Sequence, residues 1–556
     1  MTARNPIAAL PTHEVTNMPP HLGDQDLWRN DVPLREAVAH EGGGWAEAKL
    51  AAFGRLAGAA EVFEKADQAN RNTPQLKAYD RYGMRVDQVE YHPAYHDLMR
   101  IAIENEVPSF AWRHAGPGAQ VVHAALTYLL SQPEGGVMCP MAMTYSAIPA
   151  LRSTPAIADE WIPRLLSTSY DPRDIPVVEK TGATIGMFMT EKQGGSDVRS
   201  NSTRAVPAGP ATGIGAEYLL TGHKFFCSAP MCDAFLALAY SDIGISCFLV
   251  PRWRPDGERN ALFIQRIKDK LGNRSNASTE IEFQGTWGVM VGDEGRGVRT
   301  IIDMVQGNRM YCCMASAALM RQGLVQALHH TRHRSAFHKR LAEQPLMRNV
   351  LADLALESEA ALALGLRIAR AMDEAETDDG AAAFARIGTS VGKYWNCKRA
   401  PGHVFETLEC HGGPGYIEDS IMPRLYREAP VNSIWEGSGN VVCLDVLRAM
   451  QREKAAIPAY LAELDVARGA DAGLDAAIDA LARELRDPGD LELRARALTE
   501  RMALTLQGAL LVRHSPSAMA EAFCVSRFGA RWTGAYGTLP ANLDFDTIIA
   551  RALPAA

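Results

Sequence analysis

The hydrophobic period of this chain changes twice along its 556 residues, and that alternation limits what it can fold into more than any single motif does. Up to about residue 182, apolar residues recur at helical spacing, as from Trp45 to Phe63 and from His96 to Ile103. Pro108, the HAGPGAQ turn at 114–120 and Pro140 punctuate this region. From Thr184 to about Asp293 the apolar runs are short and turn-bounded: Phe235–Tyr240, Ser246–Val250 and Phe263–Ile267. Thr279–Phe283 alternates with period two, as a half-buried strand does. After Gly297 the helical period returns through Val298, Ile301, Ile302 and Val305, and Leu351–Met372 is rich in strong helix formers. Pro401 and the HGGPGY turn at 411–416 are expected to break helices, and 430–440 reads as a functional loop leading into Val441–Met450. An Ala/Leu/Arg-rich helical region follows, interrupted at Asp487-Pro488-Gly489. A chain of this length exceeds one ordinary core. The expectation is an α+β, mainly α molecule with a helical domain at 1–182, a β domain at 183–293, a second helical domain at 294–450 and an extra helical region at 451–556.

Charge narrows the function classes. With 57 Lys+Arg against 65 Asp+Glu, the net charge of −8 argues against chain-wide attraction to nucleic acid or acidic membranes, though a local basic patch stays open. No run of about 18 apolar residues exists to span a bilayer. The first twenty residues contain Pro6 and Pro11 and no apolar run of leader length, so a cytoplasmic location is expected. Ten scattered cysteines without a CxxC pair read as reduced, mostly buried thiols. His329 and His333 have i, i+4 metal-ligand spacing but no nearby carboxylate, and no metal is expected.

Four segments carry chemistry, each with an ordinary alternative. MTEKQGGSDV (189–198) joins paired glycines, which let a ligand approach the backbone, to the hydroxyls of Thr190 and Ser196; alone it is a plain turn. In TGHKFFCSAP (221–230), aromatic residues precede the small donors Cys227 and Ser228, which suits the edge of a flat ring or a buried strand. KDKLGNRSNASTEIEF (268–283) places Gly272 and Arg274 before a strand, for a charged ligand or a surface ion pair. Finally HGGPGY, PRLYR (423–427) and IWEGSGN lead to Glu436, between Trp435 and Gly437. Beside an aromatic group its carboxylate would be desolvated and made basic enough for proton abstraction; in the ordinary reading it faces solvent.

In this order and spacing the four segments resemble the acyl-CoA dehydrogenase family across roughly residues 90–450, and its AidB-type branch, linked to the response to alkylating agents, over nearly the whole chain. The resemblance implies a helical domain, a β domain and a four-helix domain, commonly in a homotetramer, holding FAD without a G-x-G-x-x-G loop. It places Met189, Thr190, Gly195, Ser196 and Val198 along the flavin, and Phe226, Cys227 and Ser228 at its ring. Arg334 and Phe337 match residues that meet the FAD pyrophosphate and adenosine across a subunit interface. Gly412, Gly413 and Gly415 match the glycine turn, and Trp435, Gly437, Ser438 and Asn440 the flavin side of the catalytic loop. Glu436 matches the base that removes the α-proton of an acyl-CoA thioester while the β-hydrogen passes to the flavin. His338 stands where a glycine is expected, Glu409 where a glutamine is common, and Trp435 is bulkier than the usual tyrosine, narrowing the acyl pocket. The electron acceptor is left open.

The same resemblance carries an alternative, a double-stranded-DNA-associated flavoprotein protecting against alkylation with little dehydrogenase turnover. Residues 451–556 contain 12 Lys+Arg against 14 Asp+Glu. Arg483, Arg486, Arg494, Arg496 and Arg501 are interleaved with Glu484, Asp487, Glu492 and Glu500, so a solvated helix face is the reading charge favours.

Overall fold

The structure is a computed structural model that describes residues 7–529 and 532–553. Residues 1–6, part of the N-terminal stretch weighed above as a leader, lie outside the described residues. The N-terminal region is helical between Val32 and Leu165 apart from one hairpin, Gln75–Tyr79 with Arg85–Glu90. Asp87 at its second strand accepts a hydrogen bond from Ile264 N at 2.9 Å, docking the hairpin on the β region. The apolar run from Trp45 to Phe63 folds as two helices, Glu47–Ala57 and Ala60–Arg71. Pro140 does not interrupt: it sits in the first turn of the helix Met138–Arg152, where a missing N–H leaves no bond unmade.

Seven strands between Ile185 and Val291 form one sheet. Ser278–Val291 pairs with Glu217–Ser228, which continues through Arg204–Pro207 to Ala234–Tyr240. Ile245–Pro251 then bridges Ala234–Tyr240 back to Ser278–Val291, closing a barrel. Its interior holds Phe188, Leu220, Phe235, Phe248 and Phe283, all fully buried, and it shares a core with the helix Met138–Arg152.

Gly297–His333, Pro345–Glu374, Asp379–Glu409 and Gly439–Arg452 build the next layer, four helices packed on one another. The chain continues helically through Pro401, contrary to expectation. Ala400, Cys397 and Val404 around it are fully buried, and that packing outweighs the ~3 kcal/mol local cost of an interior proline. Further helices from Ala456 to Ala552 pack onto this bundle, and the hydroxyl of Tyr460 donates to Met502 O at 2.9 Å. All ten cysteines are unpaired and buried. Among the described residues no helix is long and apolar enough to cross a membrane.

The two largest cores are one in the barrel and one running through the helices. Trp435 packs against both. The loop that carries Glu436 lies on their seam.

Candidate active site

The seam loop follows a short helix, Ala429–Ser433, and Trp435 N hydrogen-bonds back to Val431 O at 3.1 Å. Glu436 has φ +59° and Gly437 φ +104°. The left-handed conformation costs an ordinary side chain about 1–2 kcal/mol, so the surroundings must hold it. Arg309 Nε donates to Glu436 O at 3.0 Å, and Lys393 Nζ to Gly437 O at 2.5 Å. Arg309 is itself clamped by Asp445 at 2.7 Å. Burial opposes ionisation of Asp445, yet Arg309 and Arg386 hold it down to about 2, so the clamp stays charged at neutral pH.

The Glu436 side chain is not turned into bulk water. Burial pushes its carboxyl up to about 7, against the pull of the Arg309 and Lys393 charges and a 3.3 Å hydrogen bond from Asn308 Nδ2. A carboxyl poised there can take a proton near neutral pH. Tyr311 and Trp435 lie close by, with ring centroids 6.5 Å apart.

The four sequence segments converge on this seam. Phe225 N donates to Thr190 O at 2.8 Å, and Lys224 Nζ meets Glu191 Oε1 at 2.8 Å in an ion pair with no exposed surface. Glu191 also accepts from Ser202 N and from the Thr203 hydroxyl, which fixes the 189–203 segment to the barrel. Ser228 and Ser278 hydroxyls are 3.0 Å apart, joining the second segment to the third. Asn273 Nδ2 donates to Glu428 Oε1 at 2.8 Å, joining the third to the fourth.

Around this point Phe226 leaves half its ring exposed, Met189, Thr190 and Val198 are partly buried, and Gly195 and Ser196 are exposed. Cys227 departs from expectation. Side chains alternate along the strand, so with Phe226 outward the Cys227 thiol points into the barrel core and cannot meet a ring from outside. A flat apolar face, nearby hydroxyls and close-approach glycines suit an amphipathic planar ring. Beyond the loop, exposed Ser438 and Asn440 flank Gly439 at the start of Gly439–Arg452, where first-turn N–H groups are free for a phosphate.

The remaining candidates are elsewhere. Arg334 follows the last residue of the helix that carries Arg309, about 38 Å away at 1.5 Å per residue. Gly412 and Gly413 lie beyond Glu409, which is about 24 Å along its helix from Lys393. The two helix ends meet, with the rings of His330 and His411 4.7 Å apart. Arg334 Nη1 donates to Asn17 O at 2.8 Å, and Phe337 is 91% exposed at a hairpin tip. A Cβ at Gly412 or Gly413 would meet no atom within 4 Å. These four residues cannot serve the Glu436 site of their own chain.

Arg309, Lys393, Asp445 and the Lys224–Glu191 pair were not found from sequence. Arg309 and Lys393 sit inside helices far along the chain from the loop they brace, while Glu191 and Lys224 lie within the first two segments and Asp445 in the helix after the loop, where no local pattern marks their pairing. His329 and His333 each contact a main-chain carbonyl, Pro20 O and His329 O, both at 2.8 Å. Of the C-terminal arginines, Arg494 and Arg501 both pair with Glu484. A cavity of about 530 Å³ opens between Tyr91, Tyr95, Pro140, Tyr170 and the 229–233 turn and is lined by neither Glu436 nor the other candidates. The chemistry is assigned to the seam on its geometry.

A closed barrel between helical domains, with a desolvated glutamate offered from the bundle loop, is the arrangement of the acyl-CoA dehydrogenases. Family models agree: the acyl-CoA dehydrogenase middle domain matches residues 186–286 and the C-terminal domain residues 295–451. The chain belongs to the acyl-CoA dehydrogenase family. Within it the branch is that of AidB, since residues 17–172 match the adaptive response protein AidB N-terminal domain. The chain is 45% identical over 516 residues to the putative acyl-CoA dehydrogenase AidB of Escherichia coli K12, covering 92% of this chain and 94% of that protein. It is 32% identical over 421 residues to acyl-CoA dehydrogenase family member 11 of Caenorhabditis elegans, 72% of this chain and 66% of that protein. The crystal structure of Caenorhabditis elegans ACDH-11 in complex with C11-CoA superposes with a TM-score of 0.84 at 27% identity, covering 97% of each chain.

Proposed function

We propose that this protein is an FAD-dependent dehydrogenase of acyl-CoA thioesters in which Glu436 is the catalytic base. The observation that carries the reading is the half-buried Glu436 carboxyl, raised to about 7 and braced on the barrel–bundle seam by Arg309 and Lys393.

FAD is the cofactor. The Thr190 and Ser228 segments and the exposed face of Phe226 line its ring, and the free N–H groups at Gly439–Asn440 suit its phosphates. When bound, it supplies the acceptor for the hydride that leaves the β-carbon. Glu436 removes the α-proton, and the electron pair released forms the α,β double bond as the β-hydrogen departs. Arg309 and Lys393 hold the loop carbonyls and so aim the carboxylate without themselves touching the substrate. Trp435 and Tyr311 exclude water, which keeps the base strong and the acidified α-carbon dry. Arg334, Phe337, Gly412 and Gly413 complete the adenosine end of a neighbouring subunit's site in a homotetramer. Arg494 pairs with Glu484 and Asp487 and Arg501 with Glu484, so part of the C-terminal arginine charge is spent within the chain, which argues against duplex DNA as the ligand.

The test is anaerobic titration of the purified yellow protein with short, branched and aromatic acyl-CoAs. The wild type is expected to bleach with at least one of them, with a rate rising through an apparent pKa near 7. Glu436→Gln should keep its flavin and lose bleaching by about 10³-fold or more. Undiminished bleaching in that variant would remove Glu436 from the mechanism.

A further inference from the structure

Well away from the seam, three groups with metal-ligand chemistry meet where the first long helix of the chain touches a helix of the C-terminal region. His40 is the last residue of the helix Val32–His40, Glu41 is its C-cap, and His514 closes the helix Leu491–His514. One ligand atom from each lies within 4.8 Å of the others. The imidazoles of His40 and His514 stack at 4.0 Å with planes 10° apart.

What makes this cluster unusual is how little satisfies it. Glu41 is 3% exposed, and its Oε2 has no hydrogen-bond partner. Its remaining contacts are long, 3.4 Å to His40 Nδ1 and 3.7 Å to Arg370 Nη1. His40 Nδ1 is likewise buried and unpartnered. A buried carboxylate without hydrogen bonds costs several kcal/mol unless something compensates it. Arg370 is a weak compensator, because its Nε is committed to Glu374 at 2.8 Å. Beside the cluster lies a cavity of about 20 Å³, lined by His40, Glu41, His514 and Ser515, large enough for one ion or water.

We propose that His40, Glu41 and His514 bind a divalent transition metal of the zinc class, which staples the N-terminal helical domain to the C-terminal helical region. Two imidazole nitrogens and a carboxylate oxygen form a donor set that zinc accepts, with a water from the cavity as fourth ligand. At zinc bond lengths the donors stand about 3.3 Å apart and each lone pair lies in its ring plane, so binding requires the two imidazoles to rotate out of their parallel stack toward the ion. Both helices end here, and the partial negative charge at two converging C-termini favours a cation over the site. The ligands come from positions 473 residues apart, so the bond ties together the ends of the chain.

The test uses the full-length protein with its flavin, stripped with a chelator, dialysed against zinc chloride at neutral pH and assayed for bound metal by elemental mass spectrometry. About one zinc per chain is expected in the wild type and in a His329→Gln/His333→Gln control, and a small fraction of that in His514→Gln and in Glu41→Gln. Zinc should raise the wild-type Tm by about 2 °C or more and leave that of His514→Gln unmoved, with flavin absorbance reporting that each variant is folded. A wild type that retains no zinc, or a His40→Gln/His514→Gln variant that retains as much as the wild type, overturns the proposal. Should those variants fail to fold, a zinc-soaked crystal of the unaltered chain decides. An anomalous peak among the three side chains supports the site, and its absence refutes it.

Discussion

At the residue scale, Glu436 shows how one side chain can be sacrificed in stability for chemistry. Its carboxyl is pushed up to about 7 from an ordinary 4.5 chiefly by burial. The folded protein therefore holds that proton more tightly than the unfolded chain does. The stabilisation this supplies is complete below about 4.5 and is lost as pH rises through about 7. Glu436→Gln, which keeps the shape without the charge, should be more stable than the wild type by about 1–3 kcal/mol at pH above 7. The difference should vanish at low pH. Paired denaturation curves across that range measure it, and a gap independent of pH would contradict the assignment. The Lys224–Glu191 pair is the opposite case. Both charges have no exposed surface and each is satisfied by the other, so the pair holds the 189–203 segment rather than donating reactivity.

Strain at the element scale marks functional places. The hairpin Ser335–Ala336 with Lys339–Arg340 turns on Phe337 and His338, at φ +52° and +67°. A two-residue turn with both central residues left-handed prefers Asn-Gly, and this one uses a large aromatic and a histidine. His338→Gly should stabilise the hairpin by about 1 kcal/mol, read as slower amide exchange across residues 335–340. Faster exchange would show that the imidazole contributes more than its backbone costs. The 37-residue helix Gly297–His333 is the other decisive element. It carries Asn308 and Arg309 toward the base in one part and delivers Arg334 to the far surface at its end, so a rigid rod separates the two groups of residues.

For the whole molecule that separation has a consequence. Phe337 is 91% exposed and Tyr416 81%, both at the end of the bundle remote from Glu436. Two large apolar side chains so uncovered at one end fit the subunit contact proposed above. Phe337→Ser with Tyr416→Ser is expected to dissociate the proposed homotetramer and lower flavin content together, whereas Glu436→Gln should do neither. Light scattering with a visible spectrum on the same sample checks this; a dissociated protein with full flavin would place these residues outside the cofactor site.

The architecture was written in hydrophobic period, because period two and period 3.6 bury different faces and need no distant partner to be recognised. So were the strands at 235–240 and 246–250 and the long helix through 351–372, whereas the glutamate between Trp435 and Gly437 was singled out by its loop motif. Local rules failed where packing outvotes them: the helix runs through Pro401 because its neighbours are buried, and strand alternation turns the Cys227 thiol inward. The groups that position the base came only from tertiary structure. Arg309, Lys393 and Asp445 lie between 9 and 127 residues from Glu436, on three different helices. Nothing in a linear chain records that folding will stack those helices against one loop, and it is there that desolvation and fixed charge give an ordinary carboxyl its basicity.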